Sequence, residues 1–258
     1  MRRFTFRDLK DEHEFLELRS TSLGSFSTWI VYPSTSPIQS NETTYFGDMI
    51  HAIVLTTLQW GKEAWRLVME EIREQISDFE YYHSKDNYKK FHKNIENYWR
   101  LACDLYDNEL TAPVLCIERE YRLLLECSWY LVCMWGCLDC ILQDWVMIDI
   151  KTSTWLWDSA KEVVERQQYY YTLLRNWSMG IHTGVKTFKY AVFTKHSPPR
   201  LQVITKQIDL EYAERLLKAD LQNYLKHKHE DKMKEHIQDG NIDTSLQDWL
   251  TAGEGISV

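Results

Sequence analysis

The stretch Trp135-Gly136-Cys137-Leu138-Asp139-Cys140-Ile141-Leu142-Gln143-Asp144-Trp145-Val146-Met147-Ile148-Asp149-Ile150-Lys151-Thr152 decides how the chain is read. It divides into two short strands joined by a tight turn at Gln143-Asp144. Side chains on a strand alternate between its faces. Asp149 and Lys151 therefore face one side, and Val146, Ile148 and Ile150 the other. Val146-Met147-Ile148 is an apolar run of the kind a buried strand carries. A carboxylate and an ammonium at its end are costly to bury unless they are paired or given a metal. Taken alone, Asp149 and Lys151 are equally an ordinary ion pair on one strand face.

The flanking sequence predicts what surrounds this hairpin. Val114 to Glu118, Leu123 to Met134 and Gly136 to Leu142 alternate or run apolar, which predicts an antiparallel meander leading into Val146–Thr152. Helical spacing appears over 156–177, where Ala160, Val163, Val164, Gln167, Tyr171 and Leu174 share a stripe. Phe188–Phe193 and Leu201–Thr205 form a predicted hairpin turned by His196-Ser197-Pro198-Pro199-Arg200, with a helix over about 209–234. Ahead of the meander, helices are expected over 7–19, from Gly47 onward, over 62–76 and over 84–107, with a turn-rich loop from Tyr32 to Thr43. This order predicts an α/β (α+β) domain with a central mixed sheet flanked by helices. One domain covers 1–258: a helical region to about 110, a core over about 111–235 and a tail over about 236–258.

Composition narrows the function. The net charge of −8 argues against a uniformly basic DNA binder, so any nucleic-acid contact needs local positive charge and metal ions at an acidic centre. The lysine-rich face of the 84–107 helix is either such a patch or a solvated surface. Eleven Trp and fifteen Tyr suit both cores and base stacking. No apolar run approaches a membrane span and the first residues lack a signal-peptide core, so no membrane partner and a cytoplasmic setting are expected. Cys133-x3-Cys137-x2-Cys140 only loosely fits a metal-ligand spacing, and these residues are read as small apolar packing.

Four features stand in order along the chain: Gly47-x-x-x-His51, Gly136-x-x-Asp139, Asp149-x-Lys151 and Gln167-x-x-x-Tyr171. Read alone, His51 is a core histidine on an apolar helix. The ordered set, over about 47–171, resembles the PD-(D/E)XK nuclease superfamily and, within it, the RecB/RecE-like exonuclease branch, in its stand-alone form of the kind found in bacteriophages. The resemblance implies a restriction-endonuclease-like core and hydrolysis of phosphodiester bonds in DNA, as an exonuclease acting at DNA ends in recombination, replication or repair. It implies Mg2+ or Mn2+ held by His51, Asp139, Asp149 and the Ile150 backbone carbonyl. Lys151 would work beside the two aspartates, and Gln167 and Tyr171 would shape the site and contact DNA.

Hard divalent cations suit this chemistry because they neutralise charge and make bound water nucleophilic. Glu126 is a further candidate metal carboxylate or else a surface glutamate. Thr152, Ser153, Lys195 and Arg200 are candidate phosphate contacts or else ordinary cap and turn residues. The branch's iron–sulfur cluster is not expected, because its cysteines lie before the His helix and near the C-terminus, where this chain has none. No G-x-x-x-x-G-K-[ST] occurs, so no ATP is expected. Expected partners are DNA, a single-strand annealing or other recombination protein, and further copies of the chain. The same residues also suit an endonuclease, an RNA-directed nuclease, or a catalytically silent binding module derived from a nuclease.

Overall fold

Alternating and β-branched sequence from 114 onward folds as the expected strands, and one sheet collects them all. The computed structural model describes residues 2–4, 16–23, 41–64, 85–127, 130–158, 165–180, 184 and 186–238. Among these, the strands are β1 (Arg2–Phe4), β2 (Leu16–Arg19), β3 (Val114–Cys127), β4 (Tyr130–Leu142), β5 (Met147–Ser153), β6 (Thr187–Thr194) and β7 (Leu201–Gln207). The helices are α1 (Asn41–Trp60), α2 (Lys85–Glu109), α3 (Gln167–Ser178) and α4 (Leu210–Gln238), with a 3-10 turn at Lys62–Ala64 and a helical turn at 20–23. The sheet order is β1-β3-β4-β5-β6-β7, with β2 beside β4. β3, β4 and β5 form the expected antiparallel meander, β5 and β6 run parallel across the α3 connection, and β6 and β7 form the expected hairpin. The chain is thus a mixed α/β protein with a central mixed sheet flanked by helices. No helix among the described residues is long and apolar enough to cross a membrane.

Two cores sit on opposite faces of the sheet. On one, Met147, Phe188, Tyr190 and Val192 pack with Tyr170, Leu173 and Leu174 of α3 and Leu217 and Leu221 of α4. On the other, Val146, Ile148, Ile150, Ala191 and Phe193 pack with Ile50, Ile53 and Val54 of α1 and Ile95, Tyr98 and Leu105 of α2. β5 and β6 are therefore covered on both sides, as a parallel strand pair requires.

β4 uses its two edges differently. β3 pairs along almost its whole length on one edge. On the other, β2 pairs with Val132–Trp135 and β5 pairs with Cys140 and Ile141. Gly136 to Asp139 lie between and have no strand partner on that edge among the described residues.

Several elements differ from the sequence reading. Residues 16–19, expected at the end of a helix, form β2; Leu16-Glu17-Leu18-Arg19 alternates with period two, and β4 offers it a free edge. Residues 7–15 of that segment lie outside the described residues. α1 begins at Asn41, inside the expected loop and ahead of Gly47. The run Leu123–Met134 is broken after Cys127, where β3 ends. Residues 154–158 are not helical, so the helix expected from 156 is described only from Gln167; 159–164 lie outside the described residues. The helix expected over 62–76 is described only as the 3-10 turn.

Lys189 of β6 is buried and donates from Nζ to the Glu109 carbonyl at 2.9 Å, while its ion pair with Glu109 Oε2 measures 2.8 Å. A cation here satisfies an orphan carbonyl and the negative pole at the end of α2. Lys189→Met should lower stability by about 2 kcal/mol, the scale of a charged hydrogen bond, read as a fall in denaturation midpoint. Glu109→Gln in the same chain should recover part of that loss.

Candidate active site

The gap in the edge of β4 is where the predicted residues gather. The β4–β5 ladder covers only Cys140↔Ile148 and Ile141↔Met147. Beyond it, the Ile150 N–H donates to Asp139 Oδ2 at 2.6 Å, so a side chain replaces a strand carbonyl. Asp149, on the same strand, is 3% exposed. Lys151 Nζ lies 2.8 Å from Asp149 Oδ2 and donates to Gln167 Oε1. Gln167 Nε2 donates in turn to the Tyr171 hydroxyl at 3.5 Å, across one turn of α3. His51 of α1 faces Asp149, Lys151 and the Ile150 carbonyl from the opposite layer.

Two glycines make this approach feasible. A Cβ on Gly136 would lie 2.5 Å from Ser20 Oγ and 2.8 Å from Tyr171 Cε1, so only a residue without a side chain lets α3 and the 20–23 turn meet at the gap. A Cβ on Gly47 would lie 3.1 Å from Thr152 Oγ1, which seats α1 closely against the end of β5.

Burial dominates the electrostatics. It pushes the Asp139 carboxyl up to about 6 and that of Asp149 up to about 7, although the Lys151 ammonium opposes both shifts. Burial opposes the charge on Lys151, yet Asp149, Asp139 and Glu165 hold its ammonium above the usual range. Burial lowers His51, and it raises Tyr171 with Asp149 acting in the same direction.

The oxygen donors fit a hard divalent cation. Asp149 Oδ2 is buried without a well-aligned hydrogen bond, since Lys151 supplies charge at 2.8 Å but not alignment. Two buried carboxylates against one ammonium leave negative charge to be neutralised. Among the described residues no group of three or more His, Cys, Asp or Glu side chains is placed to hold a metal ion. Two carboxylates and a backbone carbonyl instead suit an ion that retains water, as Mg2+ does.

Other candidates fall elsewhere. Glu126 is exposed and pairs with Leu131 near the far end of β3. The β3 residue opposite Asp139 is Glu118, between the pairs Ile117↔Cys140 and Arg119↔Leu138, and its charge acts on Asp139. Glu165 Oε1 accepts the N–H groups of Arg166 and Gln167, both at 3.1 Å, and its charge acts on Asp149 and Lys151. An acidic residue just ahead of a helix is a readable signal; the register that brings Glu118 to Asp139 is not. Thr152 packs under α1, and the Ser153 carbonyl accepts the Lys195 N–H at 2.8 Å. Lys195 is half-buried, with its amine lowered by desolvation and opposed by Asp48, and Arg200 is exposed at the β6–β7 turn.

No family profile matches the sequence, and no curated protein matches it. Among solved structures, one that covers 94% of this chain is a provisionally assigned exonuclease from Eubacterium rectale, with 11% identity, 89% of its own chain covered and a TM-score of 0.49. The protein SSO0001 is 15% identical over 79% of this chain and 85% of its own, at a TM-score of 0.32. Rai1 of Scheffersomyces stipitis, with (3'-NADP)+ and calcium ion, is 10% identical over 77% of this chain and 56% of its own, at a TM-score of 0.27.

Both aspartates titrate above their unfolded values. Their contribution to stability is therefore present in full below about pH 4 and lost as pH rises through about 6 and 7. Without divalent ions, Asp149→Asn should be more stable relative to the wild type at pH 8 than at pH 5. Denaturation in a chelating buffer at the two pH values measures this difference, and an equal offset at both would contradict the buried charge.

Proposed function

We propose that the chain is a divalent-metal-dependent DNA nuclease acting as an exonuclease at DNA ends. The observation that carries this reading is the break in the edge of β4. There Asp139 bonds the Ile150 N–H, and Asp149 and Lys151 lead through Gln167 to Tyr171. Mg2+ or Mn2+ held by Asp139, Asp149 and the Ile150 carbonyl, with His51 alongside, would neutralise phosphate charge and acidify an attacking water.

The protein groups have distinct tasks. The carboxylates hold Lys151 as an ammonium across the neutral range, which makes it a donor and not a proton acceptor. Its role is therefore to hold the attacking water and to meet the negative charge that develops on the phosphoryl oxygens. Gln167 fixes the direction of that ammonium, and Tyr171 fixes Gln167. As the oxygen of water bonds phosphorus, the phosphorus–oxygen bond to the leaving group breaks. One proton of the water ends on the leaving oxygen through solvent, the other is lost to solvent, and the terminal nucleotide and shortened strand part as a phosphate and a hydroxyl.

Asp149→Ala and Lys151→Ala should each reduce Mg2+- or Mn2+-dependent cleavage at least about a hundredfold while the far-ultraviolet dichroism stays unchanged. Activity persisting in both variants would overturn the assignment. Linear DNA should be degraded and closed circular DNA spared; cutting of circles would point to an endonuclease using the same residues. Divalent ions should raise the melting temperature at pH 8 and lose that effect as pH falls below about 6, because protons then occupy the carboxylates. A shift independent of pH over that range would argue against Asp139 and Asp149 as ligands.

A further inference from the structure

The row that begins at the catalytic lysine continues past Tyr171. Gln167, Tyr171 and Arg175 follow one another at four-residue intervals on α3, which sets Arg175 about 12 Å along the helix from Gln167. Arg175 is 2% exposed, and its Nε and Nη1 have no hydrogen-bond partner. Its guanidinium carbon lies 5.6 Å from the centre of the Tyr121 ring and 4.6 Å from that of Trp145. Aromatic faces attract a cation but do not replace the hydrogen bonds that its fork lost on leaving water. Arginine cannot escape this cost by deprotonating.

A second guanidinium shares the site. Arg119 lies with its guanidinium carbon 5.5 Å from the same Tyr121 ring, and among the described residues no carboxylate forms an ion pair with Arg119 or Arg175. Such a pair is conspicuous in a chain of net charge −8. Tyr121 stands opposite Gly136 in the β3–β4 register, so this cationic cluster borders the gap in β4. Trp145 closes its outer side. Its backbone has φ 69, a left-handed conformation that favours glycine, and it is 39% exposed on the exposed 143–145 turn. A bulky residue is strained there, and what its side chain gains is the contact over Arg175.

We propose that Arg175, walled by Tyr121 and Trp145 and joined by Arg119, is an oxyanion subsite for a phosphate of the bound nucleic-acid strand other than the one being cut. A planar guanidinium whose Nε and Nη1 lack partners has donors on two of its edges to offer phosphate oxygens. For a phosphate to reach it, Trp145 on the exposed 143–145 turn has to move aside. This subsite rests on the nuclease reading, because it assigns the strand's second grip to the helix that also carries Gln167 and Tyr171.

The test is binding of a fluorescent thymidine dodecamer to the full chain in a chelating buffer, by anisotropy over a salt series. Arg175→Met should weaken binding about tenfold or more and reduce the salt slope by roughly one contact. Arg175→Lys, which keeps charge without the fork, should recover part of the affinity. Arg119→Gln, at an exposed position, should weaken binding in the same direction by less, and it decides the matter if Arg175→Met does not fold. Affinity and slope unchanged in the folded variants would overturn the subsite. If those variants also cleave like the wild type, the nuclease reading survives alone. Arg175-dependent binding without any divalent-dependent cleavage would keep the subsite and remove the nuclease reading.

Discussion

One hydrogen bond, from the Ile150 N–H to Asp139 Oδ2, holds apart two strands that would otherwise zip together. A buried backbone donor needs a partner, and the usual one would be a carbonyl of β4. Asp139 takes that place with a side chain. The ladder therefore stops after two pairs, and the edge of β4 from Gly136 to Asp139 stays open. An interruption of this kind costs ladder hydrogen bonds, and the sheet compensates on its other edges. β3 covers β4 from Val114 to Cys127, and β6 pairs with all seven residues of β5.

The surrounding packing makes the opening rigid. α3 is fixed to the sheet through the Gln168 N–H, which donates to the Tyr190 hydroxyl at 3.0 Å, and to α4 through the Tyr170 hydroxyl, which donates to Asp220. Gln167, Lys151 and Tyr171 thus sit on elements whose positions are set by buried contacts. From the other layer, α1 brings His51 against the Ile150 carbonyl through a core of Ile50, Ile53 and Val54. The charged residues gain their proximity from apolar neighbours, and the cost of their burial appears as the raised carboxyl groups of Asp139 and Asp149.

What was legible in the sequence is what short-range periodicity encodes. Period two separated Asp149 and Lys151 from Val146, Ile148 and Ile150, and the two cores divide on that line. The four-residue spacing of Gln167 and Tyr171 anticipated their contact on one helix face. Long-range register was not legible. β2 alternates over only four residues, too few to outweigh the helical spacing of the segment it ends, and its partner on β4 makes it a strand. Glu118 reaches Asp139 through a register that runs unshifted from Cys127↔Tyr130 to Cys116↔Ile141, and that register is known only once the pairing at the turn is known. Arg175 carries no signal in the sequence, because an arginine within an apolar stripe does not tell whether a carboxylate waits for it.

The pairing of β2 with β4 ties residue 16 to residue 132 in parallel. Closing so long a loop loses much chain entropy before any contact repays it, and parallel pairing of this kind is slow. The edge beside Gly136 is therefore completed late in folding. A chain emerging from the ribosome holds Leu16–Arg19 long before β4 exists to receive it, and Ser20 can meet Gly136 only after that docking. The gap at Gly136 consequently takes its final shape only once β2 has docked, so a partly synthesised chain carries Asp139 and Gly136 before the Ser20 wall of the gap is in place.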